Sequence, residues 1–307
     1  METLYITHPE CRLHDMGSWH PESPQRLDAI GDQLLSSGMM PHLAECEADV
    51  AGMNDILRVH APEYLAFLQN QAPRHGYRSL DDDTAMNPCT LPAAWAAAGA
   101  GITAVDAIMR GKAETAFCAV RPPGHHARPS QAMGFCFFNN IAIAAAYALE
   151  KHGLRRVAII DFDVHHGNGT EEMFEHDDRV LMCSFFQHPL FPSTLRDTGA
   201  SNMVNVPVPA NTPPEALRAI VAEQWMPRLK AFAPEMLFIS AGFDAHLEDD
   251  MGQLGLTEAD YAWITRQLVQ LAAESAQGRV VSMLEGGYNL SALGRSVVAH
   301  IRALSKM

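Results

Sequence analysis

RRVAIIDFDVHHGNGT, residues 155–170, is the stretch that decides the fold. Val157 to Ile160 form an unbroken apolar run, and the polar residues begin only where that run ends. A strand without polar alternation belongs to a mostly parallel sheet covered by helices on both faces. The run then opens into two aspartates and two histidines, and ligands of such sheets bind beyond the carboxyl ends of the strands.

Working outward, further strand-length apolar runs stand at ETAFCAV (114–120), RVLMCSF (179–185), EMLFISAG (235–242) and RVVSMLEGG (279–287). Helical patterns separate them at 139–153, 215–232 and 262–275. This alternation predicts an α/β fold with a central, mostly parallel sheet. The first ninety residues are less regular: 20–38 should start a helix after a proline-rich turn, 59–69 a short second one, and 71–92 reads as a loop long enough to be functional. No linker, repeat or low-complexity tract divides the chain, so a single domain over 1–307 is expected.

The 36 acidic and 22 basic residues give a net charge of −14, which argues against a nucleic-acid partner and suits a cationic substrate. Six cysteines without a C-x-x-C pair read as small buried thiols in a reducing compartment. The start METLYITHPE lacks a signal peptide's basic and apolar regions, and even the run 93–109 reads as too short to span a membrane. The expectation is a soluble cytoplasmic protein with no membrane partner; a homo-oligomer is compatible with it.

Four of the strand runs end in chemistry: RPPGHHA, DFDVHHGNGT, GFDAH and EGGYN. Asp161, Asp163 and His165 alternate, so in an extended segment they share one face, and three converging ionisable groups require a cation. Asp244 supplies a further ligand, and the set would suit zinc, iron(II), manganese or cobalt with a position left for water. His125 and His126 follow a rigid Arg-Pro-Pro-Gly turn and titrate in the range a base needs. Tyr288 follows Gly286 and Gly287, which leave it room to donate to a developing oxyanion. Singly these residues would be turn, surface or loop residues; together they call for catalysis.

RPPGHHA (121–127), GFCFFNN (134–140), DFDVHHGNGT (161–170), SAGFDAH (240–246), LEGGYNL (284–290) and HPESPQRL (20–27) resemble the zinc-dependent histone deacetylase family. Within it, the likeness is to the class II branch with its bacterial amidohydrolases and acetylpolyamine amidohydrolases. The resemblance implies the arginase/deacetylase fold around an eight-stranded, mostly parallel sheet. It also implies one zinc ion on Asp163, His165 and Asp244, His126 as general base, and His125 as its electrostatic partner held by Asp161. Asn168 would orient His126, and Tyr288 would polarise the carbonyl. Gly134, Phe135, Phe191, Met251 and Gly286 would line the substrate tunnel. A structural potassium ion is implied near Asp161, Asp163, His165, Ser184 and Phe185.

The expected substrate is an acylated lysine in a peptide or protein, with an acetylated polyamine as the alternative. Polyamine-selective relatives carry an acid at the tunnel gate, where HLEDDMGQLGL places Met251, although Glu248, Asp249 and Asp250 lie just before it. An arginase-type ureohydrolase would need a two-manganese ligand set that these segments do not supply. An inactive acyl-lysine binding module would not need His125, His126 and Tyr288 together.

Overall fold

The computed structural model describes residues 2–193 and 199–307. Among them, the strands in chain order are β1 (Thr3–Thr7), β2 (Leu43–Glu47), β3 (Arg78–Ser79), β4 (Ala85–Met86), β5 (Thr115–Cys118), β6 (Val157–Asp161), β7 (Val180–Gln187), β8 (Met203–Val208), β9 (Met236–Ala241) and β10 (Val280–Leu284). Eight of them form one sheet in the order β2-β1-β5-β10-β9-β6-β7-β8, and every neighbouring pair is parallel. β3 and β4 pair with each other, antiparallel, inside the long loop read at 71–92.

The five strands read from continuous apolarity are β5, β6, β7, β9 and β10, each buried along its whole length. β1, β2 and β8 escape that reading. β2 and β8 are the sheet's two edges, half-buried and carrying Glu45, Glu47 and Asn205. Pro207 in β8 is tolerated because an edge strand has one side free of the ladder.

β5, β10, β9 and β6 are consecutive in the sheet. The chain leaves β5 for β6 and only later fills the two positions between them, so the four motif-bearing strand ends lie side by side at one edge. This is the arrangement in which open parallel sheets form ligand crevices.

Helices cover both faces. On β10, Met283 meets Gly101 of the helix Thr90–Met109, while the next-door Ser282 bonds His300 of the helix Leu290–Leu304 at 2.8 Å. Adjacent strand residues point oppositely, so these helices lie on opposite sides of the sheet. The helix Thr90–Met109 is longer than the run 93–109 and, by length and composition alone, could cross a membrane. Its alanines and glycines instead pack on the sheet and on the helix Asn140–Lys151, where small residues let backbones approach. The stretch read as one helix at 215–232 comprises Pro214–Ile220, a wide π turn at Val221–Trp225, and Met226–Phe232. Pro227 lacks the N–H that a continued α ladder needs, and the wide turn lies immediately before it.

Gly99 lets the helix Thr90–Met109 touch the loop after β2, because a Cβ there would lie 1.9 Å from the Asp49 carbonyl oxygen and 2.7 Å from the Ala51 nitrogen. Gly99→Ala should therefore lower the urea midpoint, by about 1–3 kcal/mol of stability. Gly31→Ala, which meets open space on the helix Gln25–Ser36, should leave the midpoint equal or higher.

Candidate active site

Beyond β6 and β9, one atom each from Asp163, His165 and Asp244 lie within 4.8 Å of one another, all three residues buried. Among the described residues, this is the one group with metal-ligand geometry. His165 Nδ1 stands 3.0 Å from Asp163 Oδ1 and 3.2 Å from Asp244 Oδ2. Outer bonds aim the carboxylates: Asp163 Oδ2 accepts the Gly286 N–H at 2.8 Å, and Asp244 Oδ1 accepts the Val164 N–H at 2.9 Å. Asp244 Oδ2 is buried without a hydrogen-bond partner. Burial and the charge of Asp163 push the Asp244 carboxyl up to about 7. Burial opposes charge on His165, but Asp163 and Asp244 outweigh it and raise its pKa to about 10. Two buried carboxylates thus hold a proton on His165, and a divalent cation fits the place of that positive charge. Gly286 leaves the room, since a Cβ there would stand 2.0 Å from Asp244 Oδ2.

Asp161 does not join this group, contrary to the reading of three alternating residues on one face. β6 ends at Asp161, and the following segment is folded by side-chain-to-backbone turns. Asp161 Oδ1 accepts the Asp163 N–H at 3.1 Å, and Asp163 Oδ1 accepts the His165 N–H at 2.9 Å. Its other oxygen lies 2.9 Å from His125 Nδ1.

The two histidine rings lie 4.0 Å apart, tilted by 43°, yet their surroundings drive them in opposite directions. For His125, burial disfavours charge, but Asp161, Asp163 and Glu285 together raise its pKa well above the ordinary value. For His126, burial and the neighbouring His125 and His165 lower it well below. His126 Nδ1 pairs at 2.8 Å with the uncharged Asn168 amide oxygen. One imidazole is therefore kept as the cation and the other as the neutral base, the separation that acid–base work requires.

Tyr288, Phe135, Phe191, Met251, Gly134, His126 and His165 line one narrow cleft of ≈ 100 Å³, together with Asp83. Phe135 holds its place through a left-handed backbone (φ 69°), rare for a bulky residue. Its N–H donates to Thr84 Oγ1 at 3.1 Å. Gly134 is required beside it, because a Cβ would come within 2.5 Å of the His126 ring and 2.8 Å of Phe191. Burial and the charge of Asp244 raise the Tyr288 phenol well above 10, so it remains a donor. The Arg26 guanidinium covers its ring at 5.0 Å and donates to the Gly287 carbonyl at 2.7 Å.

Of the residues expected near potassium, Asp163 and His165 belong to the metal-ligand group, and Asp161, Ser184 and Phe185 lie on β6 and β7. Asp161 pairs with Ser184 in the β6–β7 register, Ser184 Oγ bonds Asn205 at 2.8 Å, and the Phe185 ring stacks on Trp225. Sequence reasoning missed Asp83, which the length of the loop at 71–92 hinted at. It also missed Glu285, which accepts the N–H groups of Gly124 (2.7 Å) and His125 (3.0 Å) and whose carboxyl burial raises to about 7. The acids before Met251 do not reach the cleft. Glu248 pairs with Arg295 at 2.7 Å, Asp249 is buried against backbone N–H groups, and Asp250 lines an outer groove.

A family model described as the histone deacetylase domain matches residues 20–304. A probable deacetylase of Archaeoglobus fulgidus is 38% identical over 298 residues, covering 94% of this chain and 82% of the relative. The polyamine deacetylase HDAC10 of Homo sapiens is 36% identical over 313 residues, covering 96% of this chain and 45% of that protein. The solved structure of the HDA15 HD domain superposes with a TM-score of 0.92 at 33% identity, over 99% of this chain and 88% of that one.

Because Asn168 is uncharged and His126 is depressed, the acid limb of the kcat/KM profile should lie below pH 6.5. Asn168→Asp places a negative charge on Nδ1, favours the imidazolium, and should move that limb to higher pH. An unshifted profile would remove His126 as the titrating base.

Proposed function

The chain belongs to the histone deacetylase family, and from that premise we propose that it hydrolyses the N-acyl amides of primary amines, foremost acyl-lysine in peptides or proteins, with one zinc ion held by Asp163, His165 and Asp244. It is a hydrolytic deacetylase of the family's single-domain α/β type; the catalytic domain is taken to occupy 1–307. The observation that carries the reading is one cleft lined by His126, Tyr288 and His165, the last of which belongs to the buried group with Asp163 and Asp244.

When bound, the ion would polarise the amide carbonyl and lower the pKa of water to about 7. His126, neutral, takes a proton from the attacking water and later gives it to the departing amine. Tyr288 donates to the carbonyl oxygen as it gains charge. His125, held cationic by Asp161, adds positive charge beside that oxygen without exchanging the proton. Phe135, Phe191 and Gly134 leave a slot suited to an unbranched chain. We further infer a structural potassium ion beside Asp161, Asp163, His165, Ser184 and Phe185. The six cysteines are free thiols, in keeping with a cytoplasmic setting.

An acetylated polyamine is the second reading, and Asp83 on the cleft favours it by offering a carboxylate to a distal ammonium. Met251 favours acyl-lysine, because the gate it forms is apolar and Glu248 and Asp249 are committed elsewhere. Acetyl-lysine peptides and acetylpolyamines assayed side by side with zinc-loaded enzyme decide between the two. Met251→Glu should shift the kcat/KM ratio towards the polyamines, and an unchanged ratio would end the gate assignment. Tyr288→Phe should keep its zinc by elemental analysis yet lose about 100- to 1,000-fold in kcat; wild-type turnover would refute the phenol's role.

A further inference from the structure

Asp249 stands outside the metal-ligand group and the cleft lining, yet it is 4% exposed and bonded on both oxygens. Its Oδ2 accepts the backbone N–H groups of Tyr288 at 2.6 Å and Asn289 at 2.9 Å, and its Oδ1 accepts the Met251 N–H at 3.0 Å. Beside it, the Glu248 carbonyl accepts the Asn289 amide at 2.9 Å. Asn289 in turn caps the helix Leu290–Leu304 through the Ala292 N–H.

Tyr288 follows Gly286 and Gly287, the latter at φ +116°. Two glycines leave the main chain many conformations, so the direction of the tyrosine must be imposed from outside the loop. Arg26 fixes the carbonyls of Glu285 and Gly287 upstream. The N–H of Tyr288 itself is fixed by Asp249. The same carboxylate holds the N–H of Met251, which also lines the cleft.

We propose that Asp249 is a positioning residue for deacylation: one buried carboxylate locks the backbone of the oxyanion donor Tyr288 to the backbone of the gate residue Met251. This rests on the reading of Tyr288 given above. A hydrogen-bond donor works on a developing charge only when it is already aimed at it, so a freed Tyr288 loses rate while remaining chemically intact.

The test is a double-mutant cycle on one acetyl-lysine peptide, with zinc content measured for every variant. Asp249→Ala should lower kcat tenfold or more. Asp249→Asn, which keeps one acceptor, should fall between it and the wild type. In the Tyr288→Phe background, adding Asp249→Ala should cost less than a further twofold, because the group it aims is gone. A general loss of folded enzyme would instead reduce kcat by the same factor in both backgrounds. That equal loss, or an Asp249→Ala kcat within twofold of wild type, overturns the proposal. If Asp249→Ala does not accumulate as folded protein, Asp249→Asn runs the same cycle with the same criteria. Silence of Asp249→Ala beside a damaged Tyr288→Phe removes this inference alone; an undamaged Tyr288→Phe removes the reading beneath it as well.

Discussion

Three carboxylates, Asp161, Asp163 and Asp244, lie at the ends of two adjacent strands, each with at most 1% of its surface exposed. Unpaired, each such charge would cost several kcal/mol, so the surrounding structure is organised around their neutralisation. Asp161 is met by His125, Asp163 by His165 and the Gly286 N–H, and Asp244 by the Val164 N–H on one oxygen only. Asp244 Oδ2, 3.2 Å from His165 Nδ1 but without a hydrogen-bond partner, belongs to the group that could hold a cation. The close approach of the neighbouring loops is part of the same constraint. Gly242 and Gly286 stand where any Cβ would collide with these carboxylates.

That charge also divides the two adjacent histidines. Both are buried, and burial alone would leave both neutral. His125 faces Asp161, a carboxylate, and is raised; His126 faces Asn168, an amide, and is lowered. Identical side chains one residue apart are driven in opposite directions because burial and the neighbouring His125 and His165 act on His126, whereas Asp161, Asp163 and Glu285 together outweigh burial at His125.

The same distinction explains what the sequence made readable. β5, β6, β7, β9 and β10 were legible because both their faces are buried and every residue is therefore constrained to be apolar or small. The edge strands β2 and β8 were not, since half of each meets solvent. Asp163, His165 and Asp244 were legible as a candidate metal-binding group because their motifs sit directly beyond buried strands. Asp161 was drawn into the same set by its alternation with Asp163, and the turns after β6 break that alternation. Asp83 was signalled only by the length of its loop, and Asp249 only as one of three acids before Met251. What fixes each is a backbone or cleft contributed by a distant segment, and a spacing rule contains no term for that.

The run Glu248-Asp249-Asp250 shows how little residue type alone conveys at such a site. By sequence, any of the three could have been the acid of a polyamine gate. Glu248 is drawn outward by Arg295, Asp250 faces an outer groove, and Asp249 is drawn inward by three N–H groups. A carboxylate with three donors already in place and only 4% of its residue exposed has few lone pairs left for a ligand. Its charge is consumed in shaping the wall, and the residue that faces the cleft there is the uncharged Met251.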